Sequence, residues 1–371
     1  MSLQSQMPRS GGSRRYMSSR GRRNSKLPWI ALILLAAGVV GLYFYITDED
    51  TSPDQANASD TSVTPVANGA DGSSAGGVQI PGQRNPAQGV TPRRQQGPIQ
   101  PDLSAYAQHN DPPLEGEARD QYELGLKKLK EGDLITGRAL LSELLFRGGA
   151  LPRHEAAAVR ERLAFENQKL VFSRERFEGD TITLGHTVQS GELLGNIANT
   201  YKTPYPFLER INNVTAERLP AGRTIKVLRG PIHARVDKSD YRMDLYVEDP
   251  DGLKIYLCSY PVGLGETDST PIGTWRIQLG SKVKNPAWTN PRTRQHYERD
   301  DPDNPIGEFW MALEGTDDNT RAKHGYGIHA TIDQDSIGRQ ESMGCIRMRD
   351  GDIEEVFYML YEFRSRVEIV P

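Results

Sequence analysis

The chain has 371 residues, a length that accommodates two or more domains. Its net charge of −4 does not single out a class of partner, and we expect no binding to nucleic acid. Two cysteines, Cys258 and Cys345, are too few for a disulfide framework. A bridge between them would mask both thiols, and we expect each thiol to be free.

The N-terminus carries the pattern of a membrane anchor. Residues 1–28 are basic and contain no acidic side chain, and residues 29–46 form a run of 18 residues without a charge. A helix needs about 20 such residues to cross a bilayer, and aromatic residues stand at both ends of this run. The positive-inside rule predicts a cytoplasmic N-terminus, with the rest of the chain outside. A cleaved signal peptide is the alternative, although no A-x-A site follows the run.

Two segments of contrasting composition come next. Residues 47–114 are rich in Ser, Pro, Gly and Ala and contain little that could form a core, which predicts a disordered linker. In residues 115–178, apolar side chains recur at helical spacing, with breaks at Gly132 and Pro152. We expect about three helices there, forming a small domain that faintly resembles a tetratricopeptide-type helix pair.

Residues 184–229 predict a strand, two helices and a second strand, with turns at Ser190-Gly191 and at 220–222. The segment resembles a LysM domain through residues 186–194, Ile197-Ala198, Tyr201, Ile211-Asn212, 219–222 and 225–227. The resemblance implies binding of N-acetylglucosamine-containing glycans such as peptidoglycan. It places the glycan-binding residues in two turns, at Gly191, Glu192 and Leu193 and at Ile211 and Asn212.

The candidate chemistry lies near the C-terminus, in residues 342–347, S-M-G-C-I-R, and in His329. Cys345 is a candidate nucleophile, because a thiol becomes reactive once a neighbouring base removes its proton. His329 is a candidate base, since the pKa of histidine lies near neutral pH. A single cysteine and histidine in a long chain are more often core residues, so the pair needs further support.

That support is a resemblance to the L,D-transpeptidase (YkuD) catalytic domain, whose signature runs roughly I-H-G-T, then G, then S-H-G-C-[IVL]-[RN]. This chain has I-H-A-T at 328–331, Gly338, and S-M-G-C-I-R at 342–347. Ala330 replaces a glycine whose backbone carbonyl orients the histidine in the family, and alanine keeps that carbonyl. Met343 replaces a second histidine, which leaves His329 as the expected base.

The resemblance extends over residues 231–371, through T-P-I-G at 270–273, N-P-A-W-T-N-P at 285–291 and N-P-I-G at 304–307. It implies a mostly-β catalytic domain, with a helix at 352–363 and a last strand at 366–370. We expect the polar loop at 281–305 to lie over the active site. The overall prediction is a multidomain protein that contains one transmembrane helix, a helical segment, a β-α-α-β LysM module and this catalytic domain.

The resemblance also implies residue roles: catalytic for Cys345, His329, Gly344 and Ala330, and substrate-binding for Arg347, Ser342, Met343 and Tyr326. The N–H groups of Gly344 and Cys345 are the expected oxyanion donors. The Arg347 guanidinium is suited to a substrate carboxylate, with a structural ion pair as the alternative. No family position corresponds to His324, which we expect on the surface.

The implied reaction is acyl transfer in the cell wall, without a cofactor or a metal. Cys345 attacks a stem peptide, and an amine of a second stem, or of an envelope protein, then resolves the thioester. We expect the catalytic domain in the periplasm, anchored to the inner membrane, with peptidoglycan as partner. Two alternatives remain: a thiol L,D-carboxypeptidase in which water replaces the amine, and a non-catalytic wall-binding protein.

Overall fold

The computed structural model describes residue 111 and residues 113–371. The basic segment at 1–28, the predicted transmembrane helix at 29–46 and nearly all of the predicted linker at 47–114 lie outside these residues. No helix within the described residues is both long enough and apolar enough to cross a membrane.

A helical module opens the described part of the chain with α1 (Gly116–Lys130), α2 (Leu134–Phe146) and α3 (Arg153–Leu170). The start of α2 is fixed by Asp133, whose carboxylate accepts a hydrogen bond from the Thr136 N–H at 3.3 Å. Pro152 immediately precedes α3, where its missing N–H costs no helical hydrogen bond. The helices bury a shared apolar cluster that includes Leu129, Leu141, Leu145, Val159 and Leu163.

A β-α-α-β module follows: β1 (Thr183–Thr187), α4 (Leu194–Tyr201), α5 (Tyr205–Asn212) and β2 (Thr224–Leu228). The two strands pair antiparallel, with Thr183 opposite Leu228. Each helix ends at a residue with left-handed backbone, Lys202 after α4 and Asn213 after α5. The predicted order of elements is therefore present.

The remaining residues build a mostly-β domain. Its strands are β3 (His233–Asp237), β4 (Arg242–Glu248), β5 (Lys254–Pro261), β6 (Leu264–Gly265), β7 (Gly273–Ile277), β8 (Val283–Lys284), β9 (Trp288–Thr289), β10 (His296–Tyr297), β11 (Phe309–Gly315), β12 (Gly327–Ala330), β13 (Gln340–Ser342), β14 (Ile346–Met348) and β15 (Arg366–Val370). Among the described residues, nine of these strands form one sheet in the order β14-β12-β11-β7-β15-β3-β4-β5, with β8 beside β11. β6 pairs with β13, and β9 pairs with β10.

One helix, α6 (Asp350–Met359), belongs to this domain. The predicted bounds, 352–363, were wrong at both ends. Leu360 has extended backbone, with φ −80° and ψ 137°, and Phe363 has a positive φ of 63°. The chain therefore leaves the helix early in order to turn into β15, which lies at 366–370 as predicted.

Strand β5 is an edge of the large sheet, and the helical module covers it. The Ser142 hydroxyl of α2 accepts a hydrogen bond from the Tyr256 N–H at 3.1 Å. The Asn167 side-chain amide of α3 donates to the carbonyls of Tyr256 at 2.7 Å and Leu257 at 3.0 Å. These side chains satisfy backbone groups that an open edge strand would leave unpaired.

Further contacts hold the three modules together. The Arg160 guanidinium of α3 lies 3.1 Å from the Asp244 carboxylate of β4, and both side chains are largely buried. The buried Lys226 ammonium of β2 donates to the carbonyls of Leu170 at 2.5 Å and Glu175 at 2.6 Å. Apolar residues of the β-α-α-β module and of the large sheet also belong to one buried cluster. No role for the helical segment was evident from the sequence, and these contacts indicate that it supports the other two modules.

Candidate active site

The parallel pairing of β12 with β14 brings the candidate residues together. His329 lies opposite Arg347 in this register, and Ile328 lies opposite Ile346. Cys345 directly precedes β14, so it lies at the level of Gly327, at the end of the paired region. Its sulfur is 3.7 Å from the Gly325 carbonyl oxygen.

His329 is buried and held in a defined orientation. Its Nδ1 lies 2.5 Å from the Ala330 carbonyl oxygen. Since a carbonyl only accepts hydrogen bonds, Nδ1 carries the proton and Nε2 is left with the lone pair that a base requires. Ala330 thus makes the orienting contact predicted for the glycine that it replaces.

The two candidate groups are neutral when at rest. Burial lowers the pKa of His329 to about 4; the hydrogen bond to Ala330 acts against this shift, and the positive charge of Arg347 adds to it. Burial also raises the pKa of the Cys345 thiol, an effect that Arg347 opposes. A proton transfer from sulfur to nitrogen would therefore require groups that stabilise the charged pair. Both cysteines are free thiols, and burial raises the pKa of Cys258 to about 12.

The turn that carries Cys345 is fixed by Ser342 and Gly344. The buried Ser342 hydroxyl donates to the Cys345 carbonyl at 2.7 Å and accepts from the Gly344 N–H at 3.0 Å. Gly344 has a φ of +123°, and a Cβ added there would lie 2.7 Å from the Tyr326 ring.

Two sequence-based expectations do not suit this geometry. A substrate contact through Ser342 is disfavoured, because its hydroxyl is buried and already engaged within the turn. The Gly344 N–H is occupied by the same hydroxyl, which removes one of the two predicted oxyanion donors. The Cys345 N–H finds no acceptor within the described part of the chain, so it remains available.

The other predicted substrate-binding residues lie in, next to or against the turn that carries Cys345. The Arg347 Nη1 lies 3.9 Å from Asp333, and its buried Nε has no hydrogen-bond partner among the described residues. Met343 is exposed beside the nucleophile. Tyr326 packs against Trp275, with ring centroids 5.3 Å apart. His324 is exposed, as expected.

Sequence reasoning missed Trp310. Its ring stacks on the His329 imidazole, with centroids 5.8 Å apart and planes inclined by 23°. Trp310 also lines a cavity of about 320 Å³ together with Trp288, Arg299 and Ile306. Most of that lining comes from the predicted loop at 281–305, so this loop does reach the neighbourhood of the site. An aromatic residue in a strand ordinarily indicates core, and no local signal separated Trp310 from core residues.

In the β-α-α-β module, the predicted glycan contacts divide into two groups. Gly191 and Leu193 are exposed, whereas the Glu192 carboxylate binds His186 Nε2 at 2.9 Å and the Gln189 N–H at 3.0 Å. Ile211 and Asn212 are each only 2 % exposed. The Asn212 amide bonds the backbone N–H and carbonyl of Lys226, both at 2.7 Å. These two side chains are therefore poorly placed for a glycan contact, since Ile211 is buried and Asn212 joins helix to strand inside the module.

Comparison with known families agrees with this architecture. Residues 231–369 match YkuD, the L,D-transpeptidase catalytic domain, and residues 186–228 match the LysM domain. The chain thus carries a LysM domain N-terminal to an L,D-transpeptidase catalytic domain of mostly-β fold. The described residues contain no cluster of three or more side chains suited to holding a metal ion.

Individual relatives match parts of the chain. YqjB of Bacillus subtilis strain 168 is 33 % identical over 99 residues, which cover 26 % of this chain and 51 % of YqjB. YkuD of Bacillus licheniformis is 29 % identical over 194 residues, covering 51 % of this chain and 99 % of that protein. Both carry L,D-transpeptidase in their names. This chain therefore spans about half of YqjB and nearly all of YkuD. The NMR structure of the E. faecium L,D-transpeptidase catalytic domain has 20 % identity and a TM-score of 0.28, covering 38 % of this chain and 96 % of that one.

Proposed function

We propose that this protein is an L,D-transpeptidase that forms 3-3 cross-links in peptidoglycan through a thioester on Cys345. The observation that carries the proposal is the orientation of His329. Its Nδ1 is bound to the Ala330 carbonyl at 2.5 Å, so Nε2 is the nitrogen able to take a proton. The half-buried Cys345 thiol lies at the end of the adjacent strand, where such a proton is available.

The proposed first half-reaction is attack on a donor stem. Nε2 of His329 takes the thiol proton, and the sulfur attacks the carbonyl that follows meso-diaminopimelate in a tetrapeptide. The Cys345 N–H stabilises the resulting oxyanion. The C–N bond then breaks, the leaving D-alanine takes the proton from His329, and a thioester remains on Cys345.

The second half-reaction transfers the acyl group. An amine of a neighbouring stem attacks the thioester, His329 accepts a proton from that amine, and the thiol is regenerated. Arg347 is proposed to hold a stem carboxylate, because its Nε is buried without a partner in the described chain and its Nη1 is only 3.9 Å from Asp333. That weak pairing leaves the guanidinium able to bind a substrate anion.

The remaining parts are proposed to keep the enzyme at the wall. The apolar run at 29–46 anchors the chain in the inner membrane, and the linker at 47–114 lets the catalytic domain reach the wall. The exposed turn at Gly191 and Leu193 contacts the glycan strand.

A reporter fused after residue 60 should behave as extracytoplasmic, and the full-length chain should remain in the membrane fraction. Recovery of a shortened soluble form would contradict the anchor.

The test of catalysis is mass spectrometry of muropeptides after purified protein has acted on sacculi. Cross-linked dimers between two diaminopimelate residues are expected, and they should vanish with Cys345→Ala and nearly vanish with His329→Ala. His324→Ala is the matched control, because this exposed histidine lies five residues before His329. Accumulation of tripeptides without dimers would replace transfer by hydrolysis.

A second readout follows the thiol directly. The family resemblance predicts that a carbapenem acylates Cys345 and leaves Cys258 unlabelled. Label on Cys258, or full activity of Cys345→Ala, would contradict the assignment of the nucleophile.

A further inference from the structure

The Trp310 indole covers part of the surface of β12. Trp310 on β11 lies directly opposite His329 on β12, and directly opposite residues in antiparallel strands place their side chains on the same face. The two rings stack at 5.8 Å between centroids with 23° between their planes. The indole also extends over Gly327, where an added Cβ would lie 2.6 Å from Trp310 Cη2.

The charged groups around His329 do not stabilise an imidazolium on the face that Trp310 covers. Arg347 on β14 lies opposite His329 and its positive charge opposes formation of an imidazolium. Helix α6 contributes Asp350, which lies near Gly307 together with Ala330. Ala330 and His329 are successive strand residues and point to opposite faces, so this carboxylate is on the other side of the strand. Among these described neighbours of the ring, the indole is the group whose face attracts a cation.

We propose that Trp310 is a positioning residue that fixes the His329 ring and stabilises its protonated form during proton transfer from Cys345. The step breaks the S–H bond, forms an N–H bond at Nε2 and leaves the electron pair on sulfur, so that a thiolate and an imidazolium result. A nearly parallel stack restricts rotation of the imidazole, and the negative face of the indole attracts the new charge. This inference deepens the proposed function and rests on the same thiol and histidine.

The test measures the rate at which iodoacetamide alkylates Cys345 in the full-length protein, by mass spectrometry and as a function of pH. Cation–π stabilisation of the size known for partly desolvated pairs predicts that Trp310→Leu slows alkylation about three- to tenfold near neutral pH. Trp310→Phe, which keeps an aromatic face, should restore most of the rate. Trp288→Leu is the control, because Trp288 lines the same cavity but stacks on Tyr297.

A double-mutant comparison distinguishes positioning from general damage. If Trp310 acts through His329, Trp310→Leu should have no further effect on alkylation in a His329→Ala background. An equal slowing in both backgrounds, an unchanged rate with Trp310→Leu, or a failure of Trp310→Phe to restore the rate would each overturn the proposal.

Alkylation does not require a peptidoglycan substrate, so the two proposals can fail separately. If sacculi give no cross-linked dimers while the Trp310 effect and its dependence on His329 persist, the proposed function fails and the positioning role stands. If dimers form and Trp310→Leu alkylates at the native rate, the positioning role fails alone.

Discussion

Replacing Gly344 by alanine tests the close packing that supports the candidate nucleophile. A φ of +123° is strained for any residue with a Cβ, which costs about 1–3 kcal/mol. The added Cβ would also lie 2.7 Å from the Tyr326 ring, which is itself packed on Trp275. Displacing a packed ring adds about 1–3 kcal/mol, so we expect the free energy of unfolding to fall by roughly 2–6 kcal/mol in total. Because Cys345 is the next residue, cross-linking activity should fall about a hundredfold.

The matched control is Gly338→Ala. Gly338 also has a positive φ, +84°, but an added Cβ there meets no atom of the described chain within 4 Å. Its cost should be limited to the backbone term of about 1–2 kcal/mol. Urea unfolding followed by tryptophan fluorescence gives both values, and muropeptide analysis gives the activity. Equal destabilisation of the two variants, together with full activity of Gly344→Ala, would refute the reasoning about the Tyr326 contact.

Three further predictions concern other parts of the molecule. Asn167→Ala should lower the free energy of unfolding in urea by about 2–4 kcal/mol, because two carbonyls of the covered edge strand lose their donor. The control is Gln168→Ala at an exposed position, which should change the free energy of unfolding by less than about 0.5 kcal/mol. Leu193→Asp should abolish pull-down of the full-length protein by sacculi without altering its unfolding, and retained binding would remove this exposed turn from the glycan contact. The alkylation rate of Cys345 should be lost as pH falls through about 4, where His329 becomes protonated, and should rise towards alkaline pH because burial raises the thiol pKa. Around neutral pH the rate should be nearly constant, because the proton only moves within the pair; loss of the rate already near pH ~6.5, the ordinary pKa of histidine, would contradict a neutral resting pair.

The sequence predicted best those features of the site that are formed by residues close together along the chain. The I-H-A-T stretch lies at the end of β12, and the S-M-G-C-I-R stretch joins β13 to β14; the family resemblance of the two stretches together predicted one site. The contact of the Ala330 carbonyl with His329 was implied by the same resemblance, and it joins adjacent residues.

Contacts between distant segments could not be predicted in the same way. Asn212 resembles a polar turn residue, yet its amide is used inside the LysM module by Lys226, fourteen residues later. Trp310 is separated from His329 by a loop, and only the strand register brings the two rings together. Ser342 has the polarity of a substrate ligand, but burial directs its hydroxyl to its own turn. In each case tertiary structure determined the partner of a polar or aromatic side chain.

The covered edge at β5 has a mechanical consequence. Helices α2 and α3 form side-chain hydrogen bonds with that edge, and the Lys226 ammonium donates to a carbonyl at the end of α3. Arg210 of the LysM domain lies 2.7 Å from Glu355 of α6. The exposed turn at Gly191 and Leu193 and the Cys345 thiol thus belong to modules that are joined by these contacts. If the LysM domain binds a glycan strand, the contacts between the modules fix the distance from that strand to Cys345. Each stem peptide must then reach the thiol at that distance. If the proposed cross-linking holds, the spacing of new cross-links along a strand would reflect the distance between that turn and Cys345.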